Sequence, residues 1–358
     1  MARFILAAGG TGGHIFPALA VAEQLIADGH EALLYTDKRG QHMVEGKIDY
    51  HLIISASPFN GGLLRRLMAL AYLAIGLVQS FIFILIARPK AVMGFGGYPS
   101  FGPVFAGKLL GKSCYLHEQN AVMGRANRLL ARQCKQTALT FKATKNLPNS
   151  IQTLTTGLPV RAPFFATRPY KPEADKLHLV IMGGSLGARI FAEIIPEALR
   201  LLDKDLRAKL HVTQQARPEQ IASLKAHYDA ANIKADIASF YHDVASVYDD
   251  CDIIISRAGA SSVSEIAAAG RASILVPFAA AMDDHQTGNA QILETAGGAI
   301  ILSEAVFNPQ SLADALTSLL SSDTKRIKMA KAASKAALPN ASAKIASLLL
   351  SRPIGETL

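Results

Sequence analysis

The sequence predicts an α/β protein made of two parallel-sheet domains, and three observations carry that expectation. Short apolar runs rich in Ile, Leu and Val alternate with longer stretches of helical periodicity, the pattern of strands joined by crossover helices. The pattern breaks in a proline-rich passage from Leu158 to Pro172 and then starts again. The 358 residues are too many for one typical domain and enough for two with cores of their own.

In chain order, RFILAAGG, EALLYTD, YHLIIS, KAVMGFGG, KSCYLHEQ and QTALTF read as strands of the first half. KLHLVIMGGS, KLHVTQQ, CDIIISRAG, ASILVPF and GGAIILS read as strands of the second, with helices such as ARIFAEIIPEALRLL between them. The simplest account is two Rossmann-like domains, 1–160 and 161–340. A C-terminal helix and tail, 341–358, follows a break at Pro339 and Asn340 and could pack back on the N-terminal domain. The opening run MARFILAAGG is too short for a signal-peptide core and leads straight into a glycine loop, so it reads as the first strand.

Composition narrows the class. Half the residues are hydrophobic and 18% are charged, far from a disordered chain. Cys114, Cys134 and Cys251 are odd in number and widely spaced, which implies neither a disulfide framework nor a thiolate metal site and fits a reducing cytoplasm. The net charge of +9 calls for an anionic partner: a diphosphate, an acidic membrane surface or nucleic acid. With no tryptophan, 7% aromatics and no nucleic-acid motif, nucleic acid is the weakest of the three.

Residues 67–86, LMALAYLAIGLVQSFIFILI, carry no charge and are flanked by Arg65, Arg66, Arg88 and Lys90, which meets the length rule for a membrane span. A crossing there would place strands of one sheet on opposite sides of the bilayer, and the segment stands where a crossover helix is required. Two readings remain: a helix whose apolar face dips into an anionic membrane surface, and an ordinary buried helix.

Three glycine-rich turns follow predicted strands: GGTGGH from Gly9, GFGGYPS from Gly94 and GGSLGAR from Gly183. Such turns bring backbone N–H groups and a helix start close to an anion. The dinucleotide fingerprint fails at the first loop because Ile15 stands where a third glycine belongs, and no Walker A loop is complete. This argues against NAD binding and ATP hydrolysis.

Several polar residues fall at these strand ends. His14 opens a helix where an imidazole could take a proton from a sugar hydroxyl. Residues 117–120, HEQN, end a strand with four hydrogen-bonding side chains. Ser261, Ser262, Ser264 and Glu265 fall in SRAGASSVSEIAAAG, a strand-to-helix turn suited to a diphosphate and a ribose. Asp283, Asp284 and His285 are adjacent, yet no second cluster completes a ligand set and no DxD motif is present, so neither a metal nor another cofactor is expected.

GGTGGHIFPALAVAEQL, MGFGGYPSFGP, LHEQNAVMGRANRLLA, GGSLGAR, SRAGASSVSEIAAAG and HQTGNA, in this order and spacing, resemble the MurG family over nearly the whole chain. The resemblance implies a GT-B fold, two Rossmann-like domains facing an interdomain cleft. It also implies an inverting enzyme that moves N-acetylglucosamine from UDP-N-acetylglucosamine to undecaprenyl-diphospho-N-acetylmuramoyl-pentapeptide (lipid I), giving lipid II. By resemblance, Ser185, Arg161 and the stretch Ala260, Ser261, Ser262, Val263, Ser264 and Glu265 would contact phosphates and ribose, and Tyr241 would hold uracil by its backbone. Asn120 and Gln286, with His285 beside it, would read the sugar hydroxyls. Thr11, Gly12 and Gly13 would line the junction of donor and acceptor, with His14 as general base. Leu158, Leu186 and His242 depart from the family's usual wording. Implied partners are the anionic cytoplasmic face of the inner membrane, held peripherally, and a cell-wall synthesis complex. The rival readings are a GT-B relative with another lipid acceptor, a UDP-sugar epimerase and a catalytically idle membrane-surface scaffold.

Overall fold

The computed structural model describes residues 1–58, 62–173, 175–184 and 187–352. The chain divides into one unit of Met1–Pro159 with the C-terminal segment from Asn340, and a second unit of Val160–Pro339.

Among the described residues the first unit holds a seven-stranded sheet: β1 (Arg3–Ala7), β2 (Glu31–Thr36), β3 (Tyr50–Leu52), β4 (Ala91–Gly94), β5 (Ser113–Glu118), β6 (Gln136–Leu139) and β7 (Thr153–Thr155). Its order is β3-β2-β1-β4-β5-β6-β7, and every pairing is parallel. Helices α1 (Gly12–Ala27), α2 (Gln41–Val44), α3 (Leu63–Ala87), α4 (Phe101–Leu109) and α5 (Arg125–Leu130) lie along this half of the chain. The central strands are buried on both faces and therefore read as continuous apolar runs. Helix α1 buries Ile15, Ala18, Leu19, Ala22 and Leu25, the spacing of one helical face.

The second unit repeats the plan with β8 (Leu177–Met182), β9 (Leu210–Gln215), β10 (Lys234–Ala238), β11 (Ile253–Ser256), β12 (Ala272–Leu275) and β13 (Ala299–Ile301), again all parallel, in the order β10-β9-β8-β11-β12-β13. Its helices are α6 (Ala162–Phe165), α7 (Arg189–Arg200), α8 (Lys204–Lys209), α9 (Pro218–Ala230), α10 (Val244–Asp249), α11 (Ala260–Ala269), α12 (His285–Ala296), α13 (Pro309–Leu320) and α14 (Asp323–Ala336). Local chemistry sets their starts. At α13, Asn308 Oδ1 accepts from Ser311 N (3.0 Å), Ser311 Oγ accepts from Asn308 N (3.1 Å), and Pro309 takes the first helical position.

The proline-rich passage is tied to the second unit. Buried Arg271 donates to Arg168 O (3.1 Å) and Asp249 O (2.8 Å), and buried Arg326 donates through Nε to Tyr170 Oη (2.7 Å). The last helix, α15 (Ala341–Leu350), buries Ile345, Ala346, Leu348 and Leu349 in the core shared by β1 and α1 of the first unit.

In both sheets the strand order reverses at one place, between β1 and β4 and again between β8 and β11. In open α/β sheets the crevice beyond the carboxyl ends of those strands is where ligands bind. Three of the glycine loops follow β1, β4 and β8, and SRAGASS follows β11.

Helix α3 is the crossover between β3 and β4 of a single sheet. It is seated by a narrow stripe of mostly small residues: Ala69, Gly76, Ser80, Ile84 and Ala87. A Cβ on Gly76 would lie 2.0 Å from Ile54 O and one on Gly102 of α4 would lie 2.9 Å from Gly76 O, so backbones meet closely along this stripe. Leu77, Phe81 and Phe83 beside the stripe are half-buried against the core, and much of the remaining apolar surface is exposed, including Leu67, Ile75, Val78, Ile82 and Ile86. The reading of an ordinary buried helix is therefore wrong, because a seat this narrow covers only one side.

Candidate active site

At the first switch point the loops after β1 and β4 press together. A Cβ on Gly9 would stand 2.1 Å from Pro99 Cγ, so only glycine permits the contact. Thr11 is the extended residue before α1, and Gly12 and Gly13 form its first turn, where N–H groups have no partner within the helix. Thr11 and Gly13 are exposed, and Gly12 and His14 are half-buried. Gly96, at φ +91°, clears space for the imidazole of His14: a Cβ there would come 3.0 Å from both Cε1 and Nδ1.

The HEQN segment divides by burial. His117, Glu118 and Gln119 are buried and bonded within the protein, and only Asn120 is half-exposed. Glu118 accepts from Asn120 N (3.0 Å), Gly124 N (3.0 Å) and Asn127 Nδ2 (2.8 Å), so this carboxylate shapes the turn that presents Asn120. Gln119 reaches from β5 to the β1 loop, its Oε1 standing 3.1 Å from His14 Nδ1. Of the four side chains at this strand end only Asn120 is left at the surface, because the other three find their partners inside the protein where water is excluded.

In the second unit, the loop after β8 closes on itself. A Cβ on Gly183 would fall 2.3 Å from Ala188 N, and Gly184 and Gly187 have φ of +82° and +68°. Ser185, the residue expected to touch phosphate there, lies outside the described residues, as does Leu186. After β11, Gly259 caps α11 and Ala260, Ser261 and Ser262 form its first turn. Ala260 and Val263 turn their side chains into the core, and Val263 N donates to Gly259 O (2.9 Å), so Val263 belongs to the framework of this turn. Ser261, Ser262, Ser264 and Glu265 are half-buried.

Glu265 retains an opening to solvent, yet protein fills most of the volume around it. Desolvation raises its carboxyl to about 7, against a smaller lowering by the Arg161 guanidinium. Arg161 caps α6 and lies 5.2 Å over the Phe164 ring, which packs edge-on against Tyr248 of α10. Gln286 Oε1 accepts from Ala258 N (3.2 Å) and Phe278 N (3.0 Å), which ties α12 to the loops after β11 and β12 and leaves Nε2 as the end that can donate to a ligand. His285 Nδ1 is 2.7 Å from Met282 O. The Tyr241 hydroxyl donates to Asp236 O (2.8 Å), which turns the phenol toward β10.

Two supports escaped sequence reasoning. Asn289, fully buried, donates from Nδ2 to Ala258 O (3.0 Å). Arg257 pairs with Glu304 (2.5 Å) and lies 5.3 Å over the rings of Phe191 and Phe278. Both hold the β11 loop, and both stand inside motifs that carry the family resemblance, Arg257 in SRAGASS and Asn289 in HQTGNA, without the motif showing what either side chain touches.

The sequence profile of the glycosyltransferase family 28 N-terminal domain matches residues 4–139, and that of the family 28 C-terminal domain matches residues 178–345. A Rhodospirillum rubrum protein described as UDP-N-acetylglucosamine–N-acetylmuramyl-(pentapeptide) pyrophosphoryl-undecaprenol N-acetylglucosamine transferase is 42% identical over 96% of this chain and 90% of its own. The chain belongs to the MurG family of glycosyltransferases. A Rhodospirillum centenum protein of the same description is 41% identical over 98% of this chain and 94% of its own. The crystal structure of Acinetobacter baumannii MurG superposes with a TM-score of 0.84 at 31% identity, covering 98% of this chain and all of that one. A Staphylococcus aureus MnaA–UDP structure, 14% identical with a TM-score of 0.68 over 100% of this chain and 99% of that one, shares the fold. The two parallel sheets are those of the GT-B architecture, and the MurG-family loops carry the candidate residues of both switch points.

Proposed function

We propose that this enzyme transfers N-acetylglucosamine from UDP-N-acetylglucosamine to the 4-hydroxyl of the muramoyl sugar in undecaprenyl-diphospho-N-acetylmuramoyl-pentapeptide, with inversion, forming lipid II. The observation that carries this reading is the pair of glycine-built switch points, one bearing a half-buried imidazole and the other a helix start with serines and a carboxylate, in a chain about 40% identical to transferases of that description.

The division of labour follows from the chemistry at each edge. Donor phosphates suit the first turns of α7 and α11, with the N–H groups of Ala260, Ser261 and Ser262 and the guanidinium of Arg161. A helix start favours an anion by about 0.3–1 kcal/mol, more where water is excluded. Glu265 accepts from the ribose hydroxyls, Tyr241 marks the uracil end, and Gln286 Nε2 and Asn120 bond the transferred sugar. Ser185 and Ser264 complete the phosphate side. Thr11, Gly12 and Gly13 bound the place where the acceptor hydroxyl meets the anomeric carbon. As the bond from that hydroxyl oxygen to the anomeric carbon forms, the bond to the β-phosphate oxygen breaks. The hydroxyl proton goes to His14 and UDP leaves with the electron pair.

The lipid-linked acceptor accounts for α3. Monomeric proteins rarely expose so continuous an apolar face, and Arg65 and Arg66 at its start suit the anionic cytoplasmic surface of the inner membrane. An apolar groove of about 470 Å³, lined by Leu70, Leu73, Leu77, Tyr98, Phe101 and Leu129, runs beside this face to the β4 loop and suits part of a polyprenyl chain. Replacing Val78 and Ile82, one turn apart on the exposed side, with Glu is expected to lower partitioning to vesicles containing phosphatidylglycerol by at least about tenfold. The circular dichroism spectrum should not change. Unaltered vesicle binding in the folded variant removes α3 from the docking surface.

The test of the function is transfer of radiolabelled sugar from UDP-N-acetylglucosamine to a short-chain lipid I analogue, with UDP release followed in parallel. Labelled disaccharide-lipid is expected. UDP release without that product means that the sugar passes to water, which favours an epimerase-like reaction or an enzyme made for another acceptor and overturns this reading.

A further inference from the structure

The loops of the first unit contain a buried hydrogen-bond chain that the proposed mechanism does not use. It runs from His14 through Gln119 and His117 to the backbone of Gly157. Gln119 Oε1 stands 3.1 Å from His14 Nδ1, Gln119 Nε2 stands 2.7 Å from Phe95 O and 3.1 Å from His117 Nδ1, and His117 Nε2 stands 3.1 Å from Gly157 O. His117 is fully buried and Gln119 is 2% exposed.

The proton positions follow from the far end. A backbone carbonyl only accepts, so His117 Nε2 carries a hydrogen and donates to Gly157 O. Burial lowers the His117 pKa to about 4, so the ring is neutral and its Nδ1 holds a lone pair. The group facing that lone pair must be a donor, as must the group facing Phe95 O, and the two hydrogens of the Gln119 amide nitrogen supply both. This fixes the orientation of the Gln119 amide: its oxygen, with lone pairs only, faces His14. His14 Nδ1 therefore carries the hydrogen, and the lone pair of the neutral ring resides on Nε2.

We propose that Gln119, held by His117, is a positioning residue that locks His14 in the Nδ1–H tautomer and so makes Nε2 the nitrogen that receives the acceptor proton. The assignment rests on the reading of His14 as general base. It explains why two polar side chains are buried at the end of a central strand: each has a fixed donor or acceptor role, and one end of the chain is anchored to backbone. It also explains Gly96, whose missing Cβ leaves room for the bond between His14 and Gln119. An orienting residue of this kind acts on kcat, because it sets which nitrogen meets the substrate without touching it.

The test reads the ring nitrogens of His14 in protein labelled with 15N-histidine, with the His14→Ala spectrum giving the assignment. Wild type is expected to show a protonated Nδ1 and an unprotonated Nε2 at pH 8. Gln119→Leu is expected to release the ring to a mixture containing Nε2–H and to lower kcat on the order of 10–1000-fold, with KM for UDP-N-acetylglucosamine within about twofold. An Nε2–H tautomer in wild type overturns the relay directly, with no dependence on how any variant folds. Equal kcat and tautomer in folded Gln119→Leu overturn it as well. Full turnover in His14→Ala would instead overturn the general-base reading beneath it, and the wild-type tautomer keeps the two failures apart.

Discussion

His14→Ala is expected to lower kcat for sugar transfer by about 10²–10⁴-fold, with KM for UDP-N-acetylglucosamine within about twofold. The split follows from where the residues stand. His14 opens α1 of the first unit, while the groups proposed to hold phosphate, ribose and uracil belong to the second unit. Removing the imidazole deletes a proton acceptor needed only as the acceptor hydroxyl attacks, so ground-state donor binding has no reason to change. Steady-state rates with both substrates varied, together with calorimetric titration of UDP-N-acetylglucosamine, check the two halves separately. An unchanged kcat assigns proton removal to another group. A loss confined to the KM of the lipid acceptor makes His14 a binding group.

The parts of this molecule legible in the sequence were those set by local physics. Strands buried on both faces must be apolar along their length, so β1, β4, β5, β8 and β11 announce themselves, and the glycine turns at their ends mark the ligand edge. The edge strands β7 and β10 escaped because TLT and KADIA are short and largely exposed, and neither carries an apolar run. Helix α3 was ambiguous for a different reason. An all-apolar helix reads the same whether a core or a membrane covers it, and only its narrow seat on Ile54 and Gly102 exposes the remainder. The roles of Gln119 and Asn289 were out of reach because their partners lie 105 and 31 residues away. In sequence, HEQN looks like four equivalent ligands. Folding turns three inward and leaves Asn120 at the edge.

Glu265→Gln is expected to weaken donor binding and, at alkaline pH, to stabilise the protein. The donor effect is the loss of a charged acceptor for the ribose hydroxyls, worth about 1.5–3 kcal/mol and so a rise in KM for UDP-N-acetylglucosamine on the order of 10–100-fold. The stability effect comes from burial, which raises the carboxyl from 4.5 to about 7 in the folded protein. Between those values the unfolded chain has released the proton and the folded protein still holds it, so the folded state binds more protons and stability falls as pH rises through this window. The cost is complete above about pH 7 and absent below about pH 4.5. With the carboxyl partly open to solvent, the gain on neutralising it is about 1–2 kcal/mol at pH 8, or a few degrees in the unfolding of a domain this size. Denaturant titrations at pH 5 and pH 8 should show a difference between the two proteins only at the higher pH. The same shift predicts that the wild type binds UDP-N-acetylglucosamine more tightly as pH rises from 6 to 8, because the ionised carboxylate is the better acceptor. The diphosphate diester of this donor does not titrate in that range, so a flat profile in Glu265→Gln assigns the dependence to the one side chain. A wild-type profile that is itself flat would mean that Glu265 does not meet the ribose, and a variant no more stable at pH 8 than at pH 5 would mean that its carboxyl is not held near neutral pH by burial.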